Sequence, residues 1–245
     1  MRITIVLPTY NEAENLPKLV SALFSLPLNL SIMVVDDNSP DGTGITADSL
    51  ATQNADKVHV LHRAAKSGLR SAYMEGFQAA FDLGATAVVQ MDSDFSHNPF
   101  VLVEMAHRIA SHDLVIGSRY IEGGALDKNW PLWRKALSGF GNFYARTILN
   151  SSIHDMTTGF RMWRRETLEK MPLDRIRSNG YIFLVEMAYM AYLMGFKISE
   201  VPIYFADRRW GKSKMSFKIQ MEAAMRVWDV KFYYRDLLRT KLDSK

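Results

Sequence analysis

Short apolar runs rich in β-branched residues recur at Ile3 to Leu7, Ser31 to Val35, Val58 to Leu61, Ala85 to Met91 and Leu114 to Ile116. Each has the length and composition of a buried strand. Between them the period changes: Leu16, Leu19, Val20 and Leu23 fall at i, i+3, i+4 and i+7, as do Leu102, Met105, Ala106 and Ile109. Leu69, Ala72, Tyr73, Gly76, Phe77 and Ala80 form a third helical stripe. Strand, helix and strand therefore alternate over residues 1–118, which predicts right-handed βαβ units in a mostly parallel sheet. Such sheets bind ligands beyond the carboxyl ends of their strands, so the chemistry is expected there.

Past residue 118 the rhythm gives way to a glycine-containing loop with Trp130 and Trp133, a helical stretch through Asn150, a short strand at Phe160 to Trp163 and a helix around Ile182 to Leu193. Lys197 to Phe205 alternates as a strand. In the last segment, Ser216 to Leu238, one helical stripe carries Phe217, Met221, Ala224, Met225, Trp228 and Phe232, with basic residues elsewhere around the wheel.

A chain of 245 residues suits one large domain. Its 48% apolar and 23% charged residues exclude a disordered chain or a coiled coil. There is no cysteine, which removes disulfides, thiolate metal sites and cysteine nucleophiles and leaves the chemistry to oxygen and nitrogen. Met1 runs straight into the first strand, with no signal-peptide pattern, and a cytoplasmic location is expected. Tyr181 to Phe196 is shorter than the roughly 20 residues a bilayer requires and carries Glu186, so it reads as core and not as a membrane span. The net charge of +4 is uneven: residues 205–245 hold eleven Lys and Arg against five Asp and Glu, leaving the remainder net acidic. An anionic lipid surface, nucleic acid or a solvated helix face all fit that basic tail.

Two acidic clusters close strands: Asp36-Asp37 after the second and Asp92-Ser93-Asp94 after the fourth. A D-x-D at a strand end lets two carboxylates converge on one hard divalent cation, and all-oxygen ligation suits Mg²⁺ or Mn²⁺. A cation so held can neutralise a diphosphate as a sugar departs from it. Asp41, in Ser39-Pro40-Asp41-Gly42, reads as an Asx turn or helix cap. The six histidines show no ligand spacing, and His97 reads as a loop-packing residue.

These residues, taken with Leu7-Pro8-Thr9-Tyr10-Asn11-Glu12, Gly117-Ser118-Arg119-Tyr120, Thr158-Gly159-Phe160-Arg161 and Asp207-Arg208-Arg209-Trp210-Gly211-Lys212-Ser213-Lys214, resemble glycosyltransferase family 2, within it the dolichol-phosphate mannosyltransferases, nearly end to end. The resemblance implies a single GT-A type α/β domain over residues 1–215, with a nucleotide-binding half at 1–118 and an acceptor-binding half at 119–215. Residues 216–245 would form a basic amphipathic helix. It implies that Pro8, Tyr10, Glu12, Val35 and Asp37 hold the donor nucleoside, that Asp92, Ser93 and Asp94 meet its diphosphate, and that Asp92, Asp94 and Ser96 hold the metal. Arg208 and Lys214 would reach phosphate from a loop able to close as a lid, and Arg119, Arg134 and Ser138 would form the lipid-phosphate pocket. Arg134 and Ser138 stand at i and i+4, on one helix face. The implied reaction moves mannose from GDP-mannose to a dolichyl or polyprenyl phosphate with inversion, at the cytosolic face of a membrane or against a separate membrane subunit. Because a phosphate monoester is largely a dianion near neutral pH, no catalytic base is expected.

UDP-glucose as donor stays open. Gly42-Thr43-Gly44-Ile45-Thr46-Ala47 matches a dinucleotide fingerprint, but Asn38 to Asp41 separate it from its strand and the next strand ends in Leu61-His62-Arg63, with no acid for a ribose. A nucleic-acid module is disfavoured by the acidic body of the chain.

Overall fold

A computed structural model describes residues 1–207 and 217–237, with side chains in the second span from residue 224. Its main sheet has seven strands in the order β3-β2-β1-β4-β7-β5-β8: β1 (Ile3–Thr9), β2 (Leu30–Asp36), β3 (Val58–His62), β4 (Ala87–Gln90), β5 (Leu114–Ser118), β7 (Arg161–Arg164) and β8 (Ile198–Pro202). All pairings are parallel except those of β7, which runs antiparallel to both β4 and β5. Strand period two sends Val6, Met33 and Val35 to one face of the sheet and Ile5, Leu7, Ile32 and Val34 to the other. Helices α3 (Leu69–Asp82), α5 (Leu132–Leu149), α7 (Gly180–Leu193) and α8 (Phe217–Tyr233) cover the first face. Helices α1 (Leu16–Phe24), α2 (Thr43–Gln53) and α4 (Val101–Arg108) cover the second.

Several elements differ from the sequence pattern for identifiable reasons. Helix α2 was hidden because it buries only Thr43 and Ala47 and carries no apolar stripe. The short α6 (Arg165–Lys170) likewise buries only Thr167 and Leu168. The run from Lys197 to Phe205 is not one strand: β8 ends at Pro202, and β9 (Tyr204–Phe205) leaves to pair with β6 (Ala125–Leu126) in a separate two-stranded sheet. Trp133 belongs to α5 and not to the preceding loop.

Helix α7 is buried nearly all round, as its composition required. Its one charge is satisfied inside: Glu186 accepts the Arg177 and Ser178 N–H groups at 3.2 and 2.9 Å and the Tyr234 hydroxyl at 2.7 Å. In α8, among the residues whose side chains are described, the predicted stripe turns its aromatic part outward. Val227, Val230 and, just past the helix end, Tyr234 are buried, whereas Met225, Trp228 and Phe232 are exposed. Gly76 lets α3 lie close on the sheet, since a methyl there would overlap Val6 and come within 2.9 Å of Val35 Cγ2.

Candidate active site

The carboxyl ends of β1, β2 and β4 converge, as parallel pairing in register demands. Beyond β4, the Asp92 N–H donates to His97 Nδ1 at 3.2 Å and the Ser96 N–H donates to Asp94 Oδ1 at 3.0 Å, so the acidic tripeptide is folded onto itself. Phe95 takes a left-handed φ of 62°, a conformation that costs a large side chain energy and is kept by the surrounding contacts. Ser93 Oγ donates to the Pro8 carbonyl at 3.3 Å, tying this loop to the end of β1. His97 is buried, stacked on Phe160 at 4.8 Å and edge-on to Phe205 at 5.5 Å. Burial lowers its pKa, and with Nδ1 accepting, the ring is neutral with the proton on Nε2.

Ser96 Oγ is buried without a hydrogen-bond partner. An orphaned hydroxyl on the residue whose N–H holds the Asp94 carboxylate is free to take a cation, and the donor set of Asp92, Asp94 and Ser96 is all oxygen, which fits a hard divalent ion. Among the described residues no three histidine or acidic side chains converge, so such an ion would complete its shell with substrate oxygens or water. A hollow of about 300 Å³ lined by Ala22, Phe95, His97, Asn98, Pro99, Phe100, Ala206 and Asp207 adjoins this loop.

At the end of β2 the two neighbouring aspartates differ. Asp36 is consumed by a turn, accepting from Thr9 Oγ1 (3.1 Å) and from Ser39 N and Oγ (3.1 and 2.6 Å). Asp37 is paired with Arg63, a buried residue that sequence reasoning noted only as the absence of an acid. Arg63 also donates to Glu75 at 3.2 Å and Ser71 at 2.6 Å. Its signal was position, one strand over from an acid that needed a counter-ion. Tyr10 is partly exposed with the Lys66 ammonium 3.5 Å above its ring, and Glu12 accepts from Asn15 Nδ2 at 2.7 Å. Val35 is fully buried against α3, so its side chain is closed to a ligand, and its carbonyl accepts from Thr9 Oγ1 at 3.4 Å. Asp41 forms the expected turn, accepting the Thr43 N–H at 3.0 Å before α2, and its other oxygen takes the Ala13 N–H at 3.2 Å. Gly42, at φ 88°, caps that helix, and Gly44 packs close to the Asp36 and His62 side chains, which accounts for both glycines without a dinucleotide.

At the end of β5, Arg119 forms a two-pronged ion pair with Asp155, Nε to Oδ2 at 2.7 Å and Nη2 to Oδ1 at 2.8 Å. Asp155 is fully buried and Arg119 partly so, yet each holds the other charged: Arg119 lowers the Asp155 carboxyl against the pull of burial, and Asp155 raises Arg119. On α5, Arg134 lies 3.6 Å over the Trp130 ring and donates to Asp207 at 3.2 Å. One turn on, Ser138 shares a 2.7 Å hydrogen bond with the Tyr120 hydroxyl. Among the described residues the buried Arg161 has only carbonyl partners, Leu184 (2.6 Å) and Met156 (2.8 Å), and burial pushes it down to about 10. Arg208 and Lys214 lie outside the described residues.

A mostly parallel sheet with a D-x-D loop at the end of its fourth strand is the GT-A architecture of nucleotide-sugar transferases. The chain belongs to glycosyl transferase family 2, whose sequence model matches residues 4–171, and it is a glycosyltransferase. It is 44% identical over 233 residues to the polyprenol monophosphomannose synthase of Mycolicibacterium smegmatis, covering 94% of this chain and 88% of that one. It is 43% identical over 227 residues to the undecaprenyl-phosphate mannosyltransferase of Micrococcus luteus, covering 93% of each. Among solved structures it is similar to a mannosyltransferase from Pyrobaculum calidifontis in complex with GDP-Man and Mn²⁺ (TM-score 0.64, 17% identity, 98% of this chain and 68% of that one). It also resembles a glucosyl-3-phosphoglycerate synthase from Mycobacterium tuberculosis with Mn²⁺, UDP and phosphoglyceric acid (TM-score 0.66, 14% identity, 94% and 76%).

Proposed function

We propose that the chain transfers mannose from GDP-mannose to a polyprenyl phosphate with inversion, releasing GDP. The observation that carries this reading is the 43–44% identity, over more than nine-tenths of the chain, to two enzymes named for mannose transfer to such lipids. Asp37 and Tyr10 receive the nucleoside together with Pro8, Glu12 and the Val35 main chain, and Ser93 lies beneath the diphosphate. A divalent cation, Mg²⁺ or Mn²⁺, held by Asp92, Asp94 and Ser96 would set positive charge against the departing diphosphate. Arg119, Arg134 and Ser138 hold the lipid phosphate, one of whose oxygens forms the new bond to the anomeric carbon while the bond to the β-phosphate breaks and GDP leaves with the electron pair. Orientation by arginines carries much of the rate, since the nucleophile needs no activation. The test offers GDP-mannose and UDP-glucose in separate arms with a short polyprenyl phosphate and Mn²⁺. Lipid-linked mannose from the first arm alone is expected, and transfer from UDP-glucose alone would replace this donor.

The acceptor sets the pH profile. Its second ionisation lies near pH 6, so kcat/KM for the lipid is expected to rise about tenfold per unit below pH 6 and level off above about pH 7. Asp155 is depressed in the folded state, so its contribution to stability is complete above its unfolded value of about 3.9 and is lost only as the pH falls through the lower folded value. That window lies below the profile. Stopped assays from pH 5 to 8 check it; a rate limited by a group titrating well above pH 7 would point to a protein base instead.

Among the described residues no helix is long and apolar enough to cross a membrane. Leu132, Trp133, Phe140 and Phe143 are exposed on α5, as are Met225, Trp228 and Phe232 on α8, and the two helices meet where Trp228 Nε1 donates to the Tyr144 hydroxyl at 2.9 Å, with Phe140 beside Tyr144 and Phe232 beside Trp228. These exposed apolar side chains lie on an anionic lipid surface, and α5 itself carries Arg134 and Ser138 of the proposed acceptor pocket. Each aromatic ring buried in lipid contributes about 1.5–3 kcal/mol. Trp133→Asp with Phe140→Asp is therefore expected to weaken sedimentation with anionic vesicles at least tenfold while leaving GDP binding unchanged.

A further inference from the structure

The loop joining α5 to β7 is held from three directions. Glu200, on β8, accepts the His154 and Asp155 N–H groups at 2.8 and 2.9 Å. Asn142, on α5, accepts the Met156 N–H at 2.9 Å and donates to the His154 carbonyl. Arg161, on β7, donates to the Met156 carbonyl at 2.8 Å. The consequence is a fixed Asp155 with no exposed surface. Its Oδ2 accepts the backbone N–H and Nε of Arg119, and its Oδ1 accepts Arg119 Nη2 together with the N–H groups of Thr157 and Thr158. Thr157 Oγ1 accepts a further hydrogen bond from Nη2 at 2.7 Å. Every lone-pair direction of Asp155 is occupied, so it has no place for a substrate proton. Among the described residues the guanidinium corner left without a partner is Nη1.

We propose that Asp155 is a positioning residue for acceptor binding: its two-pronged grip on Arg119, secured by Thr157, holds the guanidinium in the one orientation that leaves Nη1 for the lipid phosphate. Asn142 extends the same device. It lies one turn beyond Ser138 and two beyond Arg134 on α5, so the loop that fixes Arg119 is also fastened to the helix carrying the other acceptor residues. A free arginine loses rotamer entropy when it is fixed, and here that ordering is already complete before the lipid arrives. The inference rests on the proposed role of Arg119 in binding the acceptor.

The experiment compares Asp155→Asn, Thr157→Val and Arg119→Gln, measuring acceptor kcat/KM with a short polyprenyl phosphate, GDP affinity in Mn²⁺ by calorimetry, and melting temperature. Misplaced catalytic groups cost on the order of a hundredfold. Asp155→Asn is expected to lower acceptor kcat/KM by about that much, mainly through KM, and Thr157→Val by about five- to tenfold, with GDP affinity within about twofold of the parent for both. Equal losses of donor and acceptor affinity would mean a merely structural role and overturn the inference. So would a reduced acceptor affinity in Arg119→Gln with none in the other two. If Arg119→Gln leaves acceptor KM unchanged, the reading of Arg119 itself falls, a separate result. Should Asp155→Asn fail to fold, Thr157→Val, which leaves every charge in place, decides alone: an unchanged acceptor KM overturns the proposal.

Discussion

Asp94→Ala is expected to reduce sugar transfer about a thousandfold or more while the protein keeps its fold. The side chain is nearly buried at the end of β4, where one oxygen orders its own loop by accepting the Ser96 N–H. Its loss removes a ligand of the proposed cation site and loosens the turn that places Ser96. Removing a single preorganised group that stabilises developing charge costs about 10²–10³ in rate, and loss of a cation that acts on the whole diphosphate should cost at least the upper end. Asp41→Asn provides the contrast. That carboxylate accepts the Thr43 N–H and hydroxyl at the start of α2 and the Ala13 N–H from the loop after β1, and has no place in the proposed site, so the loss should be about 1 kcal/mol of stability with kcat nearly intact. Initial rates and melting curves on both variants check the pair.

Trp163→Ala should have the largest effect on stability. The indole is fully buried on β7, the antiparallel strand between β4 and β5, and its Nε1 donates to Gln90 Oε1 at 2.7 Å. Truncation opens a cavity, at about 3–5 kcal/mol, and also leaves a buried amide oxygen unpaired. For a chain of this size that corresponds to a fall in melting temperature of about 10 °C or more. Gln90 is the last residue of β4, two before Asp92, so the loss should also reach the site as weaker GDP binding. Trp163→Phe, which keeps most of the packing but not the donor, should cost about 1–3 kcal/mol. Thermal melts with and without GDP and Mn²⁺ measure both.

The sequence made some of this legible and hid the rest for physical reasons. The parallel half was readable because buried strands and one-sided helices have distinct periods, and its strand ends pointed to Asp37 and Asp92 without any structure. Helix α2 carries almost no apolar stripe, so periodicity had nothing to register. In α8 the aromatic stripe was visible, but its direction was not: Val227, Val230 and Tyr234 make a second apolar face, and only packing decides which faces the core. Asp155 and Arg63 were missed for another reason. Each acts through a partner distant in sequence, Asp155 with Arg119 and Arg63 with Asp37, and long-range ion pairs leave no spacing to read.

The most direct measurement incubates the protein with GDP-mannose, undecaprenyl phosphate and Mn²⁺, and follows the lipid by mass spectrometry and the nucleotide by chromatography. One mannosyl phospholipid should appear for each GDP released, and neither should form in chelator. GDP released with free mannose and no lipid product, or lipid product undiminished by chelator, would contradict the account.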